Sequence, residues 1–209
     1  MKVRLPKEEE RTHNLFNSKT MSVNEKFVKG GYIYLLRGCI NNLEGGITSK
    51  LYREGKKLKS LSVNPESMAL AHVLNGNTAF VSATTSYYTA ASFSKKCSIY
   101  IVKIPVKDIF VFTNELTESL DENEYLIPDY ISKDEILTSF KYDELGKIYF
   151  YLKDVIGLNI LPEDLEVSIE ELDRIDYDKL QRYEEFNNGG EGSIFDDILG
   201  DIQKIIIKK

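Results

Sequence analysis

Short runs of apolar residues, each bounded by Gly, Pro, Asn or Asp, recur along the middle of the chain. The first run, Gly31 to Gly38, predicts a buried strand that ends in a charged residue and a glycine. Later runs, several of them rich in β-branched residues, predict further strands at 79–83, 97–104, 108–112, 124–131, 136–142 and 147–152. Strands in this number, mixed with a few helices, predict an α+β (mixed α/β) domain.

Two helices in the middle of the chain have clear start signals. Asn64 and Pro65 precede apolar residues at helical spacing, and this predicts a helix that stops at Asn75-Gly76. The strand at 79–83 leads into Thr84-Thr85-Ser86, a hydroxyl cluster suited to cap a helix from Tyr87 to Ser94. Both helices therefore belong to the strand-rich part of the chain.

The pattern changes at both ends of the chain. Residues 1–30 are polar and charged, which favours an N-terminal arm or cap. Beyond Pro162 the chain is acidic and helix-like, and after a linker rich in Asn and Gly an amphipathic helix is predicted at 193–209. We therefore divide the chain into an arm (1–30), a main domain (31–160) and an acidic helical appendage (161–209).

Composition and length fit this division. The 209 residues, of which 42% are hydrophobic and 29% charged, are enough for one sizeable core and are typical of a folded protein. No stretch reaches the roughly 18 consecutive apolar residues that a membrane span needs. The start of the chain is followed by charge rather than an apolar signal core, so we expect a cytoplasmic protein, or one exported without a cleaved signal.

The net charge of −6 is unevenly distributed. Residues 1–110 hold 17 Lys and Arg against 8 Asp and Glu, whereas residues 111–209 hold 10 against 25. Because a region of one sign concentrates partners of the other, the first half is suited to an anionic ligand and the second to cationic groups. Solvated charged faces explain the same numbers equally simply.

Cysteine and histidine are scarce. Cys39 and Cys97 lack the number and spacing of a disulfide framework or a metal site, and we expect free buried thiols. His13 and His72 stand alone, so no zinc site and no Cys-His nucleophile pair is predicted, and a packed or surface role is expected for His72.

Four polar residues stand at unusual places. Arg37 ends a buried strand, where either an ion pair or a phosphate would satisfy its guanidinium. Ser82 lies inside a strand and needs a buried partner of its own. Glu122 and Glu124 open a strand two residues apart, so in an extended chain they face one space, and two like charges held close raise at least one pKa. A solvated strand edge would account for the paired glutamates without any function.

The order of these residues resembles the arginine–serine–glutamate class of mono-ADP-ribosyltransferases, a cholera-toxin-like group that includes bacterial toxins, secreted effectors and phage enzymes. The resemblance covers residues 30–155. The run from Phe80 to Phe93 resembles the family's aromatic-hydrophobic-Ser-Thr-Ser strand with the helix behind it, and the run from Glu122 to Pro128 resembles its Glu-x-Glu and apolar strand. The sequence departs from the pattern at Ala83 and Thr84, which stand where the family has Thr and Ser.

The resemblance implies a fold and a site. The fold would be two small antiparallel sheets packed around an NAD cleft, with flanking helices. Arg37 would hold the NAD pyrophosphate and a ribose, Ser82 would fix the rotamer of Glu124, and Glu124 would stabilise the oxocarbenium-like cation as nicotinamide leaves. Glu122 would orient and help deprotonate the acceptor. The implied NAD-binding residues are Arg37, Gly38, Ser82, Ala83, Thr84, Phe93 and Glu124, with Phe93 the favoured ring to stack on nicotinamide and Tyr87 and Tyr88 weaker candidates.

The activity that the resemblance implies is transfer of ADP-ribose from NAD to a protein side chain. Glutamate at Glu122 resembles the arginine-modifying members, so an arginine-bearing protein of a host or competitor cell is the expected acceptor, and a bacterial toxin or effector the expected setting. Two alternatives stay open: a nucleic-acid ADP-ribosyltransferase of the same fold, which overall acidity disfavours, and an inactive NAD- or protein-binding module.

Overall fold

The computed structural model describes residues 23–39, 45–56, 72, 79–109, 111–112 and 123–188. Within these ranges the strands form one seven-stranded and one two-stranded sheet, and all neighbouring strands are antiparallel. The strands are β1 (Val28–Lys29), β2 (Tyr32–Cys39), β3 (Ile47–Thr48), β4 (Phe80–Thr84), β5 (Ser98–Pro105), β6 (Val111–Phe112), β7 (Glu124–Pro128), β8 (Tyr130–Ile131) and β9 (Ile136–Lys141). The larger sheet has the order β6-β7-β4-β2-β5-β9, with β1 also paired to β2, and β3 pairs with β8.

Four α-helices accompany the sheets in the same part of the chain. They are α1 (Lys50–Arg53), α2 (Tyr87–Ser94), α3 (Leu145–Phe150) and α4 (Tyr177–Asn188). Short 3₁₀ helices occur at Glu25–Phe27, Val106–Asp108, Lys133–Glu135, Pro162–Leu165 and Glu170–Leu172, and α3 continues into a π-helical turn at Tyr151–Val155. The prediction of an α+β domain with two antiparallel sheets is confirmed. None of the helices described is both long and apolar enough to cross a membrane.

The larger sheet is made of two well-paired parts. In one part β2 pairs with β5 along its whole length, from Tyr32 to Cys39, and in the other β4 pairs with β7 from Phe80 to Thr84. Between the two parts, β2 and β4 share a single registered pair, Leu36 with Thr84. The sheet is therefore continuous but narrow at this junction.

Helix α2 packs closely against β2 and begins as the sequence predicts. The Ser86 hydroxyl accepts a hydrogen bond from the Thr89 N–H and caps the helix. On the β2 side, a Cβ added to Gly38 would lie 1.9 Å from the Ala90 carbonyl oxygen and 2.6 Å from the Ser94 backbone nitrogen. Only a residue without a side chain allows this approach, so Gly38 sets the distance between helix and strand.

The chain beyond Leu161 packs against α2 and the larger sheet. We call residues 161–188 the C-terminal segment; its buried apolar residues, which join the main hydrophobic core, are Leu165, Val167, Ile175 and Leu180. The Tyr88 hydroxyl donates to the Glu171 carboxylate, and the Lys179 Nζ lies 4.4 Å from the centre of the Tyr88 ring. The described part of the predicted appendage therefore shares one core with the sheet.

Three strand predictions need correction. The run predicted at 108–112 starts at the end of the 3₁₀ helix Val106–Asp108, and the strand described there is limited to Val111–Phe112. Residues 147–152 belong to α3 and the turn that follows it, not to a strand. Their aromatic residues favour a strand, but the fully buried positions Leu145, Ile148 and Leu152 recur at helical spacing, so tertiary packing decides. The run at 124–131 is broken at Asp129, whose φ of 63° turns the chain from β7 into β8 of the smaller sheet.

Several predictions lie outside the described residues. The helix predicted between Asn64 and Asn75 lies outside the described residues except at His72. Residues 1–22 of the arm and the amphipathic helix predicted at 193–209 also lie outside them. The described end of the arm contributes Phe27 to the core and β1 to the larger sheet.

Candidate functional site

The site is built on the pairing of β4 with β7. The register places Ser82 opposite Leu126 and Thr84 opposite Glu124. Residues two apart on a strand share a face, so Ser82 and Glu124 are diagonal neighbours on one face, within reach of each other's side chains. The Ser82 side chain forms a hydrogen bond with the Glu124 carboxylate. Ser82, predicted to need a buried partner, therefore has one.

Arg37 enters the site from β2, at the narrow junction of the sheet. Its Nη1 donates a hydrogen bond to the Ser82 carbonyl oxygen at 2.9 Å. Its Nε is buried and has no hydrogen-bond partner among the residues described. The structure thus brings Arg37, Ser82 and Glu124 together from three strands.

Glu124 is held in a strongly desolvating environment. Only 5% of the residue is exposed. Burial raises the pKa of its carboxyl, and the Ser82 hydrogen bond and the positive charge of Arg37 offset only part of that rise. A buried carboxylate that is incompletely neutralised is a favourable partner for a cation that develops beside it. Perturbed carboxyls of this kind are frequent at functional sites.

His72 is a member of the site that sequence reasoning missed. The residue is 8% exposed, and its Nε2 lies 2.6 Å from the Ser82 Oγ. Its ring also meets Phe80 edge-on, with 6.0 Å between ring centres. Burial, assisted by the charge of Arg37, lowers the pKa of His72 to about 4, so the imidazole is neutral at pH 7. The signal that pointed to it was the need of Ser82 for a buried partner, which the sequence could not match to a residue.

The ionisation state of Glu124 determines the direction of the hydrogen bonds in this cluster. A serine hydroxyl has one proton to donate, and an ionised carboxylate can only accept. With Glu124 ionised, the Ser82 hydroxyl therefore donates to Glu124 and accepts from the Nε2–H of neutral His72. In that state a chain of hydrogen bonds runs from His72 through Ser82 to Glu124.

Three further predicted residues support the backbone around the site. Gly38 allows the close approach of β2 to α2, and Ala83 is 2% exposed in the core. The Thr84 Oγ1 accepts a hydrogen bond from the Ser86 N–H at 2.9 Å, and this shapes the turn into α2.

The aromatic candidates differ in accessibility. Phe93 is 38% exposed on a helix whose other residues are buried, so core packing does not account for its ring. Tyr87 and Tyr88 are fully buried, and their hydroxyls donate to the Tyr142 carbonyl and to the Glu171 carboxylate. Of the three rings, Phe93 is the one that a ligand can reach.

The remaining predicted positions have mixed outcomes. Glu122 lies outside the described residues. Cys39 is a half-buried free thiol beside Arg37, and burial raises its pKa, whereas Cys97 is exposed, so the expectation that both thiols are buried is wrong for Cys97. Across the described ranges, no cluster of three His, Cys, Asp or Glu residues is arranged to hold a metal ion.

Comparisons with known proteins assign the chain to no family. No protein-family model matches the sequence, and no curated protein is significantly similar to it.

Proposed function

We propose that this protein is an NAD-dependent mono-ADP-ribosyltransferase that transfers ADP-ribose to arginine on a protein. The observation that carries the proposal is the meeting of Arg37, Ser82 and Glu124, which are far apart in sequence and joined by hydrogen bonds and charge in the fold. These are the three residues on which the family resemblance depends. In this proposal the two-part antiparallel sheet corresponds to the ADP-ribosyltransferase fold.

Arg37 supplies the contact with the dinucleotide. A guanidinium matches phosphate oxygens in both geometry and charge, and the Arg37 side chain is only partly buried. The Nη1 bond to the Ser82 carbonyl holds the guanidinium plane beside Glu124. The pyrophosphate of NAD is therefore bound next to the carboxylate that acts on the adjoining ribose.

Glu124 acts where positive charge develops. As the bond between C1′ of the ribose and the nicotinamide nitrogen breaks, the electron pair leaves with nicotinamide and the ribose becomes oxocarbenium-like. In NAD⁺ the positive charge starts on the nicotinamide ring and moves to the ribose as this bond breaks. A carboxylate with little solvent around it, placed beside the ribose, therefore stabilises the transition state more than the ground state, which lowers the barrier. Ser82, backed by His72, keeps the carboxylate in place.

The acceptor then completes the reaction. A guanidinium nitrogen of the acceptor arginine forms the new bond to C1′, and the proton it loses passes to Glu122 and then to solvent. A bacterial toxin or effector that modifies a protein of a host or competitor cell is the setting we propose for this activity.

The test is nicotinamide release from NAD, measured with and without agmatine, which presents a free guanidinium. Wild-type protein should release nicotinamide and label agmatine with ADP-ribose. Glu124→Gln should lose both activities while keeping its circular dichroism spectrum, and Glu122→Ala should lose transfer but retain hydrolysis. Glu163→Gln changes an exposed glutamate of the C-terminal segment and is the matched control.

Two results would contradict the proposal. The first is a folded wild-type protein that releases no nicotinamide with agmatine, total protein or total nucleic acid, which would leave a binding module. The second is label that accumulates on nucleic acid and not on protein, which would move the activity to the other acceptor class.

A further inference from the structure

Glu166 connects the C-terminal segment to the site. The residue follows the 3₁₀ helix at Pro162–Leu165 and has a φ of 62°. Two residues of α4 hold it: the Lys179 Nζ donates to the Glu166 carbonyl at 2.7 Å, and the Tyr183 hydroxyl lies 3.4 Å from its Oε2. Its other carboxylate oxygen, Oε1, accepts a hydrogen bond from the side-chain amide of Asn123. Glu166 therefore joins α4 to the residue directly before Glu124.

Asn123 is held from two sides. Its Nδ2 donates to Glu166, and its carbonyl oxygen accepts from the Thr85 N–H at 3.2 Å, at the end of β4. Its φ of 45° lies in the left-handed region, which costs a non-glycine residue about 1–2 kcal/mol and which Asn tolerates better than most. Contacts on both sides of the residue are the means by which a protein maintains such a conformation.

The conformation of Asn123 has a consequence for its neighbours. In the sequence this residue joins Glu122 to Glu124, so its backbone angles determine the direction in which the chain enters β7. Under the proposed function these neighbours have separate duties, Glu124 toward the ribose and Glu122 toward the acceptor. A change at Asn123 would therefore alter the ratio of transfer to hydrolysis without altering the side chain of either glutamate.

We propose that Glu166 is a positioning residue: its hydrogen bond to Asn123 holds the left-handed turn at Asn123, directly before Glu124, and thereby favours transfer to the acceptor over hydrolysis of NAD. The inference rests on the proposed function. The C-terminal segment would then take part in the reaction, because Lys179 and Tyr183 of α4 contact Glu166 and Glu166 accepts the hydrogen bond from Asn123.

The test is a double-mutant cycle that exchanges the donor and the acceptor. Asn123→Asp places a second carboxylate against Glu166, and the repulsion should release the turn. Glu166→Gln alone keeps an amide oxygen that accepts from Asn123, so it should behave like wild type. The double variant Asn123→Asp/Glu166→Gln restores a donor opposite an acceptor, with the amide now on residue 166. Glu163→Ala is the control, because its side chain is exposed one turn away.

Two measurements report on the cycle. One is the ratio of ADP-ribose transferred to agmatine to nicotinamide released, which we expect to fall about tenfold in Asn123→Asp and to recover in the double variant. The other is hydrogen exchange at the Thr85 amide, which needs no NAD and should accelerate in Asn123→Asp and recover likewise. A general loss of stability would accelerate exchange across the core, including Ile101 on β5, and would not be rescued by a second substitution.

The outcomes separate this inference from the proposed function. If wild type turns over NAD but the ratio in Asn123→Asp is unchanged, or the double variant is no better than the single one, the positioning role of Glu166 is wrong. If wild type is inactive while the Thr85 amide responds and is rescued, Glu166 holds the turn but the proposed function, and with it the effect on transfer, is wrong.

Discussion

The Nε2 of His72 lies 2.6 Å from the Oγ of Ser82, and through that hydroxyl a neutral imidazole is connected to the carboxylate of Glu124. Both ends of this chain titrate, and both are buried, but burial acts on them in opposite directions. It lowers the pKa of His72 and raises the pKa of Glu124, because in each case the charged form is disfavoured. The four following predictions test what this arrangement and its scaffold contribute.

Removal of the Ser82 hydroxyl should reduce activity without unfolding the protein. In Ser82→Ala, Glu124 loses a donor to its carboxylate, and a hydrogen bond to a charged group contributes about 1.5–3 kcal/mol, or about 10- to 100-fold in the rate of nicotinamide release. Ser82→Thr keeps the hydroxyl and should retain more activity than the alanine variant. Ser139→Ala, on the exposed side of β9, is the matched control. Equal activity of the alanine and wild-type proteins would show that the hydroxyl does not act on Glu124.

Acid should destabilise the protein through His72. Its folded-state pKa of about 4 lies below the ordinary 6.5, so between these values the unfolded chain binds a proton that the folded chain does not. The stabilising contribution is complete above pH 6.5 and is lost as the pH falls toward 4, and it amounts to about 3 kcal/mol. The raised pKa of Glu124 acts in the opposite sense, since its contribution to stability is lost as the pH rises through its folded-state pKa.

Urea unfolding of wild type and His72→Gln between pH 7.5 and 4 measures this contribution. The glutamine amide can still donate to Ser82 but does not titrate, so the curves of unfolding free energy should converge at low pH. Curves that stay parallel over this range would contradict the assignment.

The acid limb of the activity profile should report Glu124. The carboxylate must be ionised to stabilise a cation, and burial raises its pKa above 4.5, so kcat/KM for NAD should decline at a higher pH than for an ordinary glutamate. In Ser82→Ala one of the two groups that lower this pKa is absent, and the midpoint should rise further. A midpoint at or below 4.5 in wild type would mean that the carboxyl is more solvated than the structure has it.

Gly38 should tolerate no side chain. In Gly38→Ala the new Cβ would meet the backbone of α2 at Ala90 and Ser94, and relief of such overlap costs about 1–3 kcal/mol in unfolding free energy. Because Gly38 follows Arg37, the displacement should also weaken NAD binding. Gly45→Ala is the control, since a Cβ there meets nothing within 4 Å. Thermal unfolding of the two variants compares them directly, and similar melting temperatures would count against a packing role for Gly38.

The chain order of the polar residues predicted the site as far as strand patterns allow. Arg37, Ser82 and Glu124 each stand on a strand whose existence is readable from apolar runs, and all three are present at the site. Their contact depends on β4 pairing with β7 in one register, and strand pairing is a long-range property that local patterns do not contain.

Other parts of the site had no local signal. His72 reaches Ser82 through the placement of a segment whose packing the sequence does not specify, and the bond between Asn123 and Glu166 joins residues 43 positions apart. At 147–152, the aromatic composition competed with helical spacing, and burial of Ile148 and Leu152 decided the outcome. Tertiary packing, which local propensity does not register, accounts for each of these cases.

Only one registered pair, Leu36 with Thr84, joins β2 to β4, so this junction in the middle of the larger sheet is its most weakly paired one. Across that junction the guanidinium of Arg37, on β2, donates a hydrogen bond to the carbonyl of Ser82, on β4, and so joins the two halves of the sheet. Breathing at this junction would separate the two halves of the sheet while each half keeps its own strand pairing. An Arg37→Lys protein therefore loses the hydrogen bond that joins the two halves of the sheet, and under the proposed function it also loses the guanidinium that binds the dinucleotide.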